Sequence, residues 1–227
     1  MDEAGGRIAL VAGGSGLVGS ALLPLLLGTP EYARVHALSR RALPFEHARL
    51  ANRVVRFDAP LEPQLKGLKC QDAFCCLGTT LRTAGSAAAF RAVDYNLVVA
   101  YARAARALGA ERFVLVSSVG ADPDARNLYL SVKGEAELAV EALRFNSLQI
   151  LQPSLLLGMR RDRRPLELIA QPLMLLLGPL LFGPLAPYRP ISAQQVAAAM
   201  LGAARTGKAG VYRYTYPMLQ RLANTQR

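Results

Sequence analysis

The chain has 227 residues, 52% hydrophobic and 19% charged. That excludes a disordered protein and a scaffold dependent on disulfides or metals, and leaves one domain or one domain with a small appendage. The formal net charge of +11 invites a nucleic-acid reading. Only four of the 27 basic residues are lysine, and the arginines are scattered rather than laid along one helix, so the excess reads as compositional bias and no nucleic-acid partner is expected.

The start, Met-Asp-Glu-Ala-Gly-Gly-Arg, is acidic and lacks the features of a signal peptide. Ile8 to Ala12 reads as a strand buried on both faces. Gly13, Gly16 and Gly19 follow at intervals of three, and Leu17 to Leu27 reads as a helix that Pro30 ends. Strand, glycine turn and helix form the context of a dinucleotide fingerprint, with phosphates seated at the helix N-terminus. Arg34 to Leu38 is the second expected strand, with His36 on it and His47 in the next loop, both read as structural. The strand ends at Ser39-Arg40-Arg41, with no acid to accept from a free ribose 2′-hydroxyl. Two guanidinium groups suit a 2′-phosphate, so NADP(H) is expected over NAD(H).

Val54 to Phe57 is the third expected strand, and Asp58 after it either hydrogen-bonds adenine or initiates a turn before Pro60. Ala73 to Leu77 is the fourth, followed by Gly78, which lets backbone pass close to a cofactor, and Thr79, within reach of ribose or phosphate. Cys75 and Cys76 point to opposite faces of this strand, so with Cys70 they make neither a zinc site nor a disulfide framework, and no metal is expected. Ala87 to Leu108 carries a helical apolar stripe, with Asp94 and Asn96 as candidates to touch the site. Phe113 to Val116 is the fifth strand, running into Ser117-Ser118. A polar loop leads to a helix from Tyr129 to Leu143, then to a sixth strand, Leu148 to Leu151. Alternating strands and helices with short connections give an α/β, doubly wound, mostly parallel Rossmann-type sheet.

Tyr129 and Lys133 are four residues apart and share one helix face. A phenol is a poor base at neutral pH, and a neighbouring ammonium stabilises its phenolate. Such a phenol exchanges a proton at a carbonyl or carbinol oxygen. Ser118 lies just past the fifth strand, on the same sheet edge as the glycine turn, where a hydroxyl can fix that oxygen. Ser117 competes for this role or ends the strand.

These motifs, together with Cys75-Cys76-Leu77-Gly78-Thr79-Thr80, Phe113 to Ala121 and Tyr129 to Glu135, resemble the short-chain dehydrogenase/reductase superfamily. Within it the chain is similar to the atypical, NAD(P)H-binding and epimerase-like branch typified by the Tat-interacting protein of 30 kDa. The resemblance covers most of residues 8–158. It implies that Ser118, Tyr129 and Lys133 are catalytic, and that Ser15, Gly16, Leu17, Val18, Arg40, Arg41, Leu77, Gly78, Thr79 and Lys133 line the cofactor. Gln152-Pro153-Ser154 matches the family's loop beside the nicotinamide, so Pro153 and Ser154 join that list, with Gln152 where many members have Arg and Ser154 where many have Gly.

The expected organisation is one domain over 1–227, with a cofactor core over 7–153 and a small helical substrate lid over 154–227. Arg160 and Arg161 stand near the expected entrance and either clamp an anionic substrate or belong to a solvated loop. Residues 166–185 are apolar but broken by Pro172, Pro179 and Pro184, which fits short helices over a lipophilic pocket, with peripheral membrane contact or a homodimer interface as alternatives. Ser192 to Ala204 reads as a helix capped by Ser192, and Gly210 to Thr215 as a final strand. The expected function is a cytoplasmic NADPH-dependent oxidoreductase acting on a small hydrophobic carbonyl or alcohol. The alternatives are an NADPH-binding regulatory or scaffold protein with little turnover and a nucleoside-diphosphate-sugar epimerase-like enzyme.

Overall fold

Apolar residues on successive positions of a strand feed two different cores, and here they do so on every central strand. In β1 (Arg7–Ala12), Ala9 and Val11 face one side of the sheet, and Leu10 and Ala12 the other. Phe74 opposes Ala73 and Cys75 in β4 (Asp72–Cys75), and Val114 opposes Phe113 and Leu115 in β5 (Arg112–Val116). A strand buried on both faces needs a helix on each, which selects the doubly wound architecture. The computed structural model describes residues 6–157 and 183–225. Arg160 and Arg161, and residues 166–182 of the apolar segment, lie outside the described residues.

All the pairings of the main sheet are parallel. Its seven strands run in the order β3 (Leu50–Val54), β2 (Tyr32–Ser39), β1, β4, β5, β6 (Ser147–Leu151), β9 (Gly210–Tyr214). Leu156–Leu157 (β7) and Ile191–Ser192 (β8) form a separate parallel pair. Helices α1 (Leu17–Gly28) and α7 (Ala193–Arg205) cover one face of the sheet. The other face carries α2 (Leu61–Gln64), α5 (Val98–Ala107) and α6 (Leu128–Glu141). Short helices α3 (Leu81–Ala84) and α4 (Ala87–Arg91) follow β4, and α8 (Tyr216–Asn224) packs on α7.

Three features depart from the sequence expectation. The third strand lies at Leu50–Val54, not 54–57, because Asn52 fixes the edge pairing: its amide donates to Ala37 O at 3.1 Å and Ser39 Oγ at 2.7 Å, while its oxygen accepts from Leu43 N at 2.8 Å. The long helix expected over 87–108 is interrupted by a π turn, Ala92–Leu97. The segment expected as a lid also divides differently. Its second half, α7 and β9, belongs to the core and the sheet, because α7 buries Val196, Met200 and Leu201 against α1. The expected Ser192 cap is present and forms a reciprocal capping box with Gln195.

Candidate active site

The strand order reverses between β1 and β4, and the carboxyl ends of the strands flanking that crevice are where ligands sit in such sheets. Gly13 ends β1 with φ +82°, and a Cβ there would lie 2.6 Å from the Cys76 carbonyl. The turn therefore needs glycine for its backbone and for its approach to the chain after β4. Helix α1 begins at Leu17 with no side chain capping it and no acid in its first turn. This leaves the positive end of its dipole available to an anion. The register Ala12↔Leu38 brings the end of β2, and with it Arg40 and Arg41, alongside this turn. Both arginines are exposed, and neither has an ion-pair partner among the described residues. Asp58 lies farther out, in the turn after β3, with its carboxylate on the Arg56 guanidinium at 3.2 Å.

Helix α6 starts where Asn127 accepts hydrogen bonds from Tyr129 N at 2.9 Å and Leu130 N at 3.3 Å. This cap puts Tyr129 in the first turn, half-buried, with its ring centroid 5.5 Å from that of Phe90. One turn on, Lys133 is buried. Its Nζ lies 2.8 Å from Asp94 Oδ1, and Asp94 is fully buried in the π turn. Burial works against the ammonium, but the Asp94 carboxylate, helped by Tyr129, outweighs it and holds Lys133 above its ordinary pKa. The other Asp94 oxygen accepts from Thr79 N at 2.8 Å. A Cβ on Gly78 would sit 3.3 Å from Asp94 Oδ1 and 3.4 Å from Lys133 Nζ, so glycine keeps an open cradle above the ion pair.

Ser117 ends β5 by donating its N–H to Leu151 O at 2.7 Å, and its buried hydroxyl has no partner among the described residues. Ser118 follows, half-buried, and among the described residues its Oγ reaches Val119 O alone, at 3.4 Å. The Pro153 carbonyl accepts from Val119 N at 3.0 Å, which seats the loop after β6 beside the Ser118 loop. Ser154 donates from Oγ to the Arg189 carbonyl and so is tied to the returning chain. Gln152 turns away, its amide on the Glu137 carboxylate at 2.9 Å, which Arg213 also engages. His36 lies on β2 and His47 in the loop after it. Burial pushes the Cys75 thiol up to about 12, so no thiolate competes for the chemistry.

A dinucleotide fits these residues: an uncapped helix start for the pyrophosphate, two arginines without an ion-pair partner among the described residues at the adenosine end, and the Gly78 cradle at the other. Sequence reasoning named Asp94 only as one of two candidates and missed its pairing with Lys133. No local pattern signals it, since the π turn aims the side chain.

A family model described as "NAD dependent epimerase/dehydratase family" matches residues 9–140, more than half of the chain. The chain belongs to that family. Among relatives of this epimerase/dehydratase-family chain, Protein HTATIP2 of Rattus norvegicus is 41% identical over 165 residues, 71% of this chain and 67% of the relative. Protein FMP52, mitochondrial, of Saccharomyces cerevisiae is 38% identical over 157 residues, 68% of each chain. A solved structure of the Bordetella bronchiseptica enzyme WbmH in complex with NAD+ aligns with TM-score 0.70 at 14% identity, over 97% of this chain and 80% of that one. The Rossmann-type fold and the nicotinamide-nucleotide class of cofactor follow for this epimerase/dehydratase-family chain. One expectation is corrected here. The FMP52 relatives, including those of Scheffersomyces stipitis and Coccidioides immitis at 37% and 36% identity, are named mitochondrial, which overturns the cytoplasmic placement.

Proposed function

We propose that this chain is an NADPH-dependent oxidoreductase acting on a small hydrophobic carbonyl or alcohol. The observation that carries the reading is Lys133, a buried ammonium one helical turn from Tyr129 and beside the Gly78 cradle. When bound, the nicotinamide supplies or accepts the hydride. Tyr129 exchanges the proton at the substrate oxygen through its phenol hydroxyl. Lys133 holds the cofactor ribose and presents positive charge to that phenol. The Ser118 hydroxyl, weakly engaged at 3.4 Å, turns to the same oxygen and fixes it. Arg40 and Arg41 take the 2′-phosphate, Ser15 to Val18 with the glycines of the turn take the pyrophosphate, and Leu77 to Thr79 with Pro153 and Ser154 border the nicotinamide end. The expected partner is a small molecule.

Calorimetry with NADPH and NADH tests the cofactor. Charge-assisted hydrogen bonds contribute about 1.5–3 kcal/mol each, so replacing either Arg40 or Arg41 by Ala should weaken NADPH about 10- to 100-fold and leave NADH unchanged. Turnover is tested on a panel of hydrophobic aldehydes, ketones and quinones. Tyr129→Phe should keep NADPH affinity and lose about 100-fold or more in turnover. Tight NADPH binding without turnover on any member of the panel would favour the regulatory reading. Full turnover by the Phe variant would sink the mechanism.

A further inference from the structure

A buried ion pair is a poor way to stabilise a fold, because desolvating both charges offsets their attraction, and apolar side chains of similar size often do as well. Asp94 and Lys133 nevertheless meet at 2.8 Å with the carboxylate fully buried. Two groups converge on Asp94 from different elements: the Lys133 ammonium from α6 forms an ion pair with Oδ1 at 2.8 Å, and the Thr79 N–H from the chain after β4 donates to Oδ2. Only a carboxylate presents a negatively charged oxygen to the ammonium and an acceptor to the amide; an Asn would lose the charge and turn an NH₂ towards one of the two. The π turn adds a residue to the helix and re-aims this side chain, a distortion that recurs at functional sites. The remaining neighbours do not substitute for it. Tyr129 faces Lys133 from its own helix. Cys75 faces it from β4 with a neutral thiol, and the nearby Arg91 is matched by Glu135 at 2.5 Å.

We propose that Asp94 is the positioning residue of the site: its two oxygens lock the Leu77–Thr79 loop and the Lys133 ammonium to one another, so that one buried carboxylate aligns the nucleotide cradle and the proton-handling helix. The use of this lock rests on the oxidoreductase reading; its geometry does not.

Lysine-selective ¹³C NMR on the full chain tests this, since only Lys66, Lys69, Lys133 and Lys208 contribute signals. In the wild type, the midpoint of the Lys133 Cε step should lie above pH 10.5, the ordinary lysine value. In Asp94→Asn the step should fall by at least about one pH unit, because a buried amine without its counter-charge deprotonates readily. Hydrogen exchange at the Thr79 amide should quicken about tenfold or more in the same variant. NADPH affinity should weaken about tenfold. An unchanged Lys133 titration and Thr79 exchange in Asp94→Asn overturn the proposal, whatever happens to NADPH. Should that variant fail to fold, a wild-type Lys133 step below pH 10.5 overturns it alone. If the lysine and amide respond as stated while the wild type binds no NADPH, the lock stands and the oxidoreductase reading falls.

Discussion

His36 illustrates how one buried side chain sets a pH dependence far from chemistry. It lies on β2, with Nδ1 unbonded, between the charges of Arg53 and Arg34. Burial first, then those two guanidinium groups, lower its pKa from 6.5 to about 4. The folded chain therefore holds fewer protons at this ring than the unfolded chain between those values. Its contribution is full above pH 6.5 and is lost as pH falls towards 4. A pKa unit is about 1.4 kcal/mol, which caps the effect near 3 kcal/mol, and water at the ring's edge reduces it to about 1–2 kcal/mol. Urea unfolding at pH 7.5 and 4.5 should show the wild type losing about 1–2 kcal/mol more than His36→Leu, because only the wild type carries this proton uptake. Equal losses would remove His36 from the account. Asp94, by contrast, was legible in the sequence only as one of two candidates, because its role depends on a Lys from α6 and a loop after β4 that the fold brings to it.

Helix α6 is held by contact as much as by its own hydrogen bonds. Gly134 follows Lys133 directly, and a Cβ on it would lie 2.3 Å from Asp122 C and 2.3 Å from Pro123 N. The helix thus rests backbone against backbone on the loop that follows Ser118. The loop returns the contact, with Asp122 N donating to Leu130 O at 3.2 Å. Replacing Gly134 by Ala gains about 1 kcal/mol of helix propensity. Two backbone atoms that cannot rotate away cost about 3 kcal/mol or more. The net effect of Gly134→Ala should be destabilising, with a lowered melting temperature and turnover falling more than NADPH affinity, because the displaced loop carries Ser118 and not the glycine turn. A variant as stable and active as the wild type would show that the loop yields freely. The Tyr-x-x-x-Lys spacing was readable from the sequence because it is local to one helix. The position of that helix was not, because the glycine that seats it acts on a loop about three helical turns away in sequence.

Across the whole molecule, the strands that were easiest to read are those buried on both faces, where apolar runs leave little choice of register. β3 was misplaced because an edge strand exposes its side chains, and Val54, read as a strand start, is 62% exposed. The final third was harder still. Its strand and its capped helix were visible locally, but nothing in residues 193–214 says that they close the main sheet rather than cover a substrate. The ion pairs show the same closure: Arg205 of α7 meets Glu31 at 2.8 Å, Glu31 meets Arg7 at 2.9 Å, and Arg7 and Arg112 converge on the fully buried Asp72. A chain ending at residue 190 keeps every residue of the proposed catalytic set and loses α7, β9 and α8. Val196, Met200 and Leu201 alone contribute about 1.5–3 kcal/mol each on burial. Their sum is comparable to the whole stability of a domain, about 5–15 kcal/mol. Loss of β9 also bares the β6 edge, with its unpaired backbone groups open to aggregation. The shortened chain should lack a cooperative thermal transition and near-ultraviolet circular dichroism, and should not bind NADPH. A sharp melt with retained nucleotide affinity would return residues 191–225 to the status of a dispensable lid.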